Sequence, residues 1–388
     1  MKKSTRFAGL AMASVMMLSM AACANNNGIN AGGDDLPAEE SSDVVESSET
    51  EENSEASEST DVSESSDVIE SSDVIESTSD TESTENAPKE DVAINEKNFP
   101  DKVFREYVKE KVDKDGNGIL SPKEITECRK IMFYEEGTQQ NVFIDHGIKS
   151  MKGIEYFTEL TFLDLCHNHI TELDLSHNTK LEYLDCTINP IASLNVSNCT
   201  RLNWLEFSDD NLTKLDLSHN EKLEYLNFTK TKLTSLDLSH NRKLTCLSVG
   251  YAEMKEIDIS ANTELTDLSI YFVPINSIDV SQNKKLQSIN ITSSNMEKID
   301  LSNNTKLRTL FLCSNKLTAL DICHNTELQC LEIFGNKITS VNISACPKLV
   351  NVMKNGKKEE INDWDEWKIQ IDGGENWVAV GLNCKVIT

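Results

Sequence analysis

The stretch that decides the fold begins Leu160-Thr161-Phe162-Leu163-Asp164-Leu165-Cys166-His167-Asn168-His169-Ile170. Its leading leucine returns every 21 residues without a shift of register. The column consists of Leu160, Leu181, Leu202, Leu223, Leu244, Leu265, Leu286, Leu307 and Leu328. A fixed period of this length indicates a stacked repeat array. Because apolar and polar residues alternate in Leu163-Asp164-Leu165, each row is expected to contain a short strand with one buried face.

This run resembles the leucine-rich repeat, and rows of 21 residues with Leu-Asp-Leu-Ser-x-Asn ends most resemble bacterial internalin-like surface proteins. The resemblance implies an α/β solenoid, mainly β, in which stacked rows share a leucine core as a rod or shallow arc. We place this domain at 134–353, with a degenerate first row over Phe143–Leu160 and a strand-rich closing cap at 354–388. One such protein carries a cysteine ladder, which Leu184-Asp185-Cys186 matches once, so no ladder is expected here.

Residues 1–23 have the features of an export signal, with Lys2, Lys3 and Arg6 before a short apolar run. The end of this segment, Met20-Ala21-Ala22-Cys23, resembles a bacterial lipobox. The resemblance implies that Cys23 is lipidated and that the protein is held on the outer face of the cytoplasmic membrane or at the cell surface. The alternative is an ordinary cleavable signal with an incidental cysteine, which would leave the protein secreted.

Residues 24–92 form an acidic Ser/Glu/Asp/Thr segment, and the whole chain carries a net charge of −28. Asp34 to Asp91 contains 22 acidic residues and one lysine. Like charges and few apolar groups cannot repay the entropy of folding, so we predict a disordered stalk. The same negative charge makes nucleic acid an unsuitable partner.

A twelve-residue segment in the predicted cap at 93–133 resembles the calcium loop of an EF-hand. The resemblance assigns oxygen ligands to alternate places and a bidentate carboxylate to the last one. The implied ligands are Asp113, Asp115, Asn117, Ile119 through its carbonyl, Ser121 and Glu124. Gly118 permits the sharp turn. We expect a structural Ca²⁺ site in a cap that docks on the first rows, with a solvated acidic turn without metal as the alternative.

The strand positions predict a binding surface on the concave side of the rows. An aromatic column adjoins an acidic column in the early rows, and aromatic side chains are common anchors of binding interfaces. The predicted ligand patch consists of Tyr183, Asp185, Trp204, Glu206 and Tyr225. A protein, peptide or glycan ligand would suit it. The alternative is that aromatic residues are present because they suit strands.

Two further columns run along the rows. We predict that the acids Asp174, Asp216, Asp237, Asp258, Asp279, Asp300 and Asp321 accept backbone N–H groups in the following turns and do not form a cation ladder. The asparagine column of Asn168, Asn189, Asn315 and Asn336 is interrupted in the middle rows, where less regular bonding is expected. The ten cysteines other than Cys23 are expected to stay unpaired.

The sequence contains no recognisable catalytic constellation, so an enzyme is not expected. Two functions remain open. One is a calcium-stabilised, lipid-anchored recognition or adhesion protein. The other is an accessory component of a secreted degradative system that holds polysaccharide or peptide. The combination of signal, acidic stalk, single calcium loop and 21-residue rows resembles surface proteins of anaerobic Gram-positive bacteria.

Overall fold

The computed structural model describes residues 90–133, 145–208, 211–360, 366–370, 376–381 and 384–388. The predicted signal, Cys23 and nearly all of the predicted stalk lie outside these residues. Within the described part of the chain, no helix combines the length and the apolar character that crossing a bilayer requires.

The N-terminal cap consists of short elements around the predicted calcium loop. They are β1 (Val92–Ala93), α1 (Lys102–Tyr107) with a π-helical continuation (Val108–Val112), β2 (Ile119–Leu120) and α2 (Pro122–Glu127). Helix α1 begins where the Asp101 carboxylate accepts the Val103 and Phe104 N–H groups. Strand β1 pairs antiparallel with β2 across the loop. The strand that pairs with the loop strand β2 is therefore β1, which belongs to the N-terminal end of the same cap.

A long parallel ladder follows directly from the cap. Its strands, within the described residues, are β3 (Lys130–Ile131), β4 (Phe162–Asp164), β6 (Tyr183–Asp185), β8 (Trp204–Ser208), β9 (Tyr225–Thr229), β10 (Cys246–Gly250), β11 (Asp267–Tyr271), β12 (Ser288–Thr292), β13 (Thr309–Phe311) and β14 (Cys330–Glu332). From β4 to β13, each strand pairs with the residues 21 places further on. On the other side of the early rows, β5 (Glu172–Asp174) pairs with β7 (Ser193–Asn195). The predicted solenoid is confirmed.

The first strand of the ladder corrects two predictions about the start of the repeats. Strand β3 pairs with β4, so the ladder begins at Lys130 and not within the predicted first row at Phe143–Leu160. The spacing of Ile125, Cys128 and Ile131 predicts an apolar face of the second helix, but α2 ends at Glu127 and Ile131 lies in β3. The sheet hydrogen bonds and burial of Ile131 determine its conformation, and helical spacing alone gave the wrong element.

The leucine column forms the spine of the core. All nine leucines from Leu160 to Leu328 are fully buried, as predicted. A second asparagine column, distinct from that of Asn168, connects successive rows, because each Nδ2 donates to two carbonyl oxygens of the preceding row. It consists of Asn178, Asn220, Asn241, Asn262, Asn283, Asn304 and Asn325, all fully buried. Asn220 Nδ2, for example, donates to the carbonyls of Val196 and Cys199 at 3.0 Å each. Cys199 and Cys346 occupy asparagine places in this column, and their thiols donate to the equivalent carbonyls over 3.4–3.9 Å.

The first asparagine column, of Asn168, Asn189, Asn315 and Asn336, is interrupted in the middle rows and determines the length of the strands. In the outer rows Asn168 Nδ2 donates to the carbonyls of Leu165 and Cys166, which removes these carbonyls from the ladder. Rows with this asparagine have strands of three residues, whereas β8 to β12 of the middle rows have five. The less regular bonding predicted for the middle rows therefore takes the form of longer strands, which make the sheet wider there.

The acid column behaves as predicted for turns. Asp174 Oδ1 accepts the Ser176 N–H at 2.9 Å, and the same bond recurs at each later row. These bonds hold the pKa of Asp174 and of its equivalents below the usual range, with the backbone donor as the first cause at Asp174. All ten described cysteines are free thiols.

The C-terminal segment extends the ladder instead of merely covering it. It contains β15 (Ser340–Asn342), α3 (Pro347–Asn355), β16 (Lys357–Glu360), β17 (Glu366–Gln370), β18 (Trp377–Gly381) and β19 (Lys385–Ile387). Strand β18 pairs parallel with β14, so that Trp377 lies beside Cys330. Strands β17 and β16 then continue the sheet in antiparallel fashion. Strands were predicted for 354–388, whereas α3, most of which lies within the predicted repeat domain 134–353, was not predicted.

Candidate functional site

The predicted calcium loop lies inside the cap, between the π-helical end of α1 and α2. Its carboxylates converge: single oxygens of Asp113, Asp115 and Glu124 lie within 4.8 Å of one another. Ca²⁺ binds oxygens at about 2.3–2.6 Å, so a spacing of this size suits ligands on one ion. Asp113 and Glu124 are buried although they are acidic. The described side chains therefore form the core of the set that the sequence predicts.

Hydrogen bonds within the loop hold these oxygens in place. Asp113 accepts the N–H groups of Gly116 and Gly118 at 2.9 and 2.8 Å. Glu124 Oε1 accepts the Lys114 N–H, and its Oε2 accepts the N–H and hydroxyl of Ser121. These donors, the Ser121 N–H first, hold the pKa of Glu124 below its usual range. Glu124 is thus ionised at neutral pH, which a cation site requires.

The remaining predicted ligands are arranged along the same loop. Asn117 Oδ1 accepts the Ile119 N–H at 2.7 Å, and Asn117 Nδ2 donates to Asp115. Ser121 is the N-cap of α2 and forms a capping box with Glu124. The partner of β2 in this cap is β1, so a short strand takes the place of the second loop with which such loops usually pair.

The predicted concave patch forms two columns on four adjacent strands. Pairing aligns Phe162, Tyr183, Trp204 and Tyr225 in one column and Asp164, Asp185, Glu206 and Asn227 in the other. The rings of Phe162 and Tyr183 stack at 4.1 Å between centroids, those of Tyr183 and Trp204 at 5.7 Å, and those of Trp204 and Tyr225 at 3.6 Å. The structure thus brings all five predicted patch residues together.

Hydrogen bonds connect the two columns. Trp204 Nε1 donates to Glu206 Oε1 at 2.8 Å, and Asn227 Nδ2 donates to Glu206 Oε2 at 3.2 Å. Asp185 Oδ1 accepts the Thr187 N–H at 2.8 Å. The hydrogen-bond donors to Asp185 and Glu206 are all neutral groups, so they do not neutralise these two carboxylates.

The acidic column is electrostatically unfavourable. Burial raises the pKa of Asp185 well above its usual range, and repulsion from Asp164 and Glu206 raises it further. The pKa of Glu206 is also raised, chiefly by burial. Because the folded state favours the protonated forms, these carboxylates cost stability as the pH rises through their folded pKa values. Groups that are costly to the fold are commonly found at functional sites.

One expectation about the patch is wrong. The aromatic residues were expected to be exposed, but Tyr225 is 6% exposed and its hydroxyl has no hydrogen-bond partner. In-register strands place flat rings about 4.8 Å apart, so each ring covers the face of the next one. Tyr183, Asp185, Trp204 and Glu206 are half-buried. The accessible part of the patch therefore consists of these four residues.

A second tryptophan–glutamate pair lies on the same face and was missed from the sequence. Trp377 of β18 donates its Nε1 to Glu332 Oε1 at 2.6 Å, and its ring stacks on Phe311 at 5.8 Å. Trp377 follows Cys330 by 47 residues, so it does not share the 21-residue period. No periodic signal could have placed it in the ladder.

Comparison with solved structures identifies the fold. The functional domain of InlJ from Listeria monocytogenes, which includes a cysteine ladder, matches with 34% identity and a TM-score of 0.62 over 68% of this chain and 56% of that one. The fold is that of a leucine-rich repeat protein. An internalin, InlF, of Listeria monocytogenes matches at 21% identity with a TM-score of 0.45, covering 65% of this chain and 91% of that one. A leucine-rich repeat protein of Leptospira interrogans matches at 22% identity with a TM-score of 0.42, covering 48% and 57%.

This leucine-rich repeat chain spans little more than half the length of the InlJ domain. No protein-family model and no curated protein sequence matches it. The InlJ domain includes a cysteine ladder. In this chain Cys186 is buried, and its thiol donates to the Glu206 carbonyl at 3.5 Å.

Proposed function

We propose that this chain is a cell-surface recognition protein that binds a protein ligand through its concave patch, Tyr183, Asp185, Trp204, Glu206 and Tyr225. The observation that supports this most is the stacked aromatic column beside Asp185 and Glu206, neither of which forms an ion pair with a lysine or arginine among the described residues. Leucine-rich repeat proteins related to internalins commonly bind proteins, and the match to InlJ supports the same class of function here. No catalytic role is proposed.

The geometry favours a protein over a glycan as ligand. A sugar that stacks on an aromatic side chain needs a free ring face. In this patch the faces of Tyr183 and Trp204 lie against neighbouring rings, at 4.1 Å from Phe162 and 3.6 Å from Tyr225 respectively. The half-buried rings therefore offer mainly their edges, which suit the side chains of a protein surface.

Binding arrays would test this function. The full chain is applied to arrays of proteins and glycans from the native habitat, in parallel with a variant carrying Trp204→Ala. We expect specific retention on protein spots that is lost with the variant. Retention on polysaccharide spots, with equal signals for the two chains, would instead support an accessory role in a degradative system.

We also propose that the loop of Asp113–Glu124 holds a structural Ca²⁺. Asp113, Asp115, Asn117, Ser121 and Glu124 would supply side-chain oxygens, and Ile119 its carbonyl. The converging carboxylates and the ionised Glu124 support this assignment. Because β3 follows α2 after two residues, an ion here would fix the junction between the cap and the ladder.

Removal of calcium is expected to lower the melting temperature. At a calcium concentration about tenfold above the dissociation constant, binding to the native state contributes about 1.4 kcal/mol. This corresponds to roughly 3–6 °C for a domain of this size. Extracellular loops of this type bind at about 10⁻⁴–10⁻³ M, so the scans should compare millimolar calcium with excess chelator.

Two variants show whether the loop is responsible. Glu124→Gln is expected to melt at the same temperature with and without calcium, because it loses the bidentate ligand. Glu127→Gln lies on the exposed side of the same helix and should keep the full calcium response. Equal melting temperatures of the unmodified chain with and without chelator would refute the calcium assignment.

We further propose that Cys23 carries a lipid that anchors the chain at the cell surface, with the acidic stalk as spacer. The segment Met20-Ala21-Ala22-Cys23 supports this. Expressed in a bacterial host with a labelled fatty acid, the unmodified chain is expected to incorporate label and to partition into detergent. Cys23→Ser should abolish both. Label in the Cys23→Ser chain, or none in either, would exclude this anchor.

A further inference from the structure

The acids of the concave patch differ from other acids of the rows in their partners. Glu159, Glu264 and Glu327 each form an ion pair with a lysine or arginine of a neighbouring row. Among the described residues, no lysine or arginine forms an ion pair with Asp185 or Glu206. Their partners are Thr187 N–H, Trp204 Nε1 and Asn227 Nδ2. The patch thus holds negative charge that the fold itself leaves uncompensated.

A second, independent observation concerns the hydroxyl of Tyr225. The side chain is more than nine-tenths buried, and the hydroxyl has no hydrogen-bond partner. The ring stacks on Trp204 within 6° of parallel, and Trp204 in turn bonds Glu206. Burial raises the pKa of this hydroxyl, and the neighbouring Glu206 and Asp185 carboxylates raise that pKa further. The patch thus contains, beside its two acids, a buried hydroxyl that the fold leaves without a hydrogen-bond partner.

Charge complementarity decides the chemistry of the occupant. Aligned residues on neighbouring parallel strands lie about 4.8 Å apart, which places two carboxylates side by side. A guanidinium carries five donors in a planar fork and can bridge two carboxylates, whereas an ammonium acts as a point charge. The ring edges of Tyr183 and Trp204 provide an apolar wall for the methylene stem of the same side chain.

We propose that the concave patch receives an arginine side chain of the protein partner, with the guanidinium held by Asp185 and Glu206 and the stem packed against Tyr183 and Trp204. This inference rests on the proposed function, that the face binds a protein. A cation here replaces the repulsion between neighbouring carboxylates by two charge-assisted hydrogen-bonded pairs. Repulsion between these carboxylates therefore lowers the stability of the free fold, and binding of the guanidinium removes that repulsion.

Calorimetry with short capped peptides tests the proposal on the full chain. The probes are tri-arginine, tri-lysine and tri-citrulline peptides, the last of which keeps the shape of arginine without its charge. We expect the arginine peptide to bind at least about tenfold more tightly than the citrulline peptide, a difference of about 1.4 kcal/mol. The lysine peptide is expected to fall between them.

Matched variants locate the binding. The chain with Asp185→Asn and Glu206→Gln should lose the preference for arginine. The chain with Glu253→Gln and Glu256→Gln changes the net charge equally at exposed positions outside the patch and should keep it. Melting curves check the fold: because repulsion is removed, the Asp185→Asn and Glu206→Gln chain should melt at or above the temperature of the unmodified chain. If that double variant misfolds, the two single variants decide, each with an expected loss of at least about threefold.

Several results would overturn the inference. One is equal affinity for the arginine and citrulline peptides. Another is an unchanged preference in the patch variants. A third is zinc ions occupying these carboxylates without any preference for arginine. Even with any of these results, a partner found on the arrays could still lose binding to the Trp204→Ala chain. In that case the concave face remains the binding surface, and only the proposed binding of an arginine by Asp185 and Glu206 is refuted.

Discussion

Replacing Phe99 with alanine is expected to lower the melting temperature of the whole repeat domain by roughly 6–20 °C, from a loss of about 3–5 kcal/mol at about 2–4 °C per kcal/mol. Phe99 is fully buried where the cap meets the first rows. Its ring lies 5.7 Å from those of Phe104 and Tyr156 and 6.3 Å from that of Phe157. Truncation would leave a cavity between α1 and the ladder.

The structure also explains why the site cannot collapse around the smaller side chain. Gly153 adopts φ of +106° directly against the Phe99 ring, where a Cβ would collide with that ring. The Asp101 carboxylate accepts the Lys149 N–H at 2.9 Å and ties α1 to the same place. The backbone is thus held on both sides of the ring.

Calorimetric unfolding is the measurement, and Val103→Ala is the matched control. Val103 lies on the same helix and is 38% exposed, so its truncation should cost less than about 1 kcal/mol. One shifted transition is expected for Phe99→Ala, because the cap and the rows share a core. A separate small transition that shifts alone, with the main one unchanged, would show that the cap does not stabilise the rows.

Replacing Trp204 with alanine is expected to weaken the binding of the protein partner to the concave face by at least about 30-fold. Anchor residues of an interface contribute about 2 kcal/mol or more to the binding free energy. The substitution removes the ring between Tyr183 and Tyr225 and the donor to Glu206. The loss of affinity therefore has two causes, the missing ring packing and the missing hydrogen bond that holds the Glu206 carboxylate. Surface plasmon resonance with the partner recovered from the arrays measures it.

Two further variants separate these contributions. Trp204→Phe retains a stacked ring but has no Nε1 donor, so its affinity should lie between those of the unmodified and alanine chains. Tyr251→Ala removes an aromatic side chain that is 44% exposed and lies outside the patch, and it should leave the affinity unchanged. Equal affinities of Trp204→Ala and the unmodified chain would exclude the patch as the binding site.

Periodic features of the fold could be predicted because they depend on neighbours in sequence. The leucine column requires only that each row repeat the last, and the acid at Asp174 bonds an N–H two residues on. The predicted loop ligands converge for the same reason, since twelve consecutive residues contain them all. Local chemistry sufficed for these predictions.

Features that depend on distant segments could not be predicted in this way. The burial of Tyr225 depends on the adjacent rows, and the pairing of β1 with β2 joins Val92 to Leu120. Trp377 reaches the ladder only because α3 and the two following strands return the chain to β14. Ile131 lies in β3 although helical spacing favoured α2 there. Tertiary contacts decided each of these cases.

Hydroxyl-radical footprinting of the full chain, alone and with its protein partner, tests most directly whether the concave face binds. The partner is predicted to slow oxidation of Tyr183 and Trp204, while His219 and His240 in the turns on the other side react as before. Unchanged oxidation of Tyr183 and Trp204, with protection of the two histidines, would contradict it.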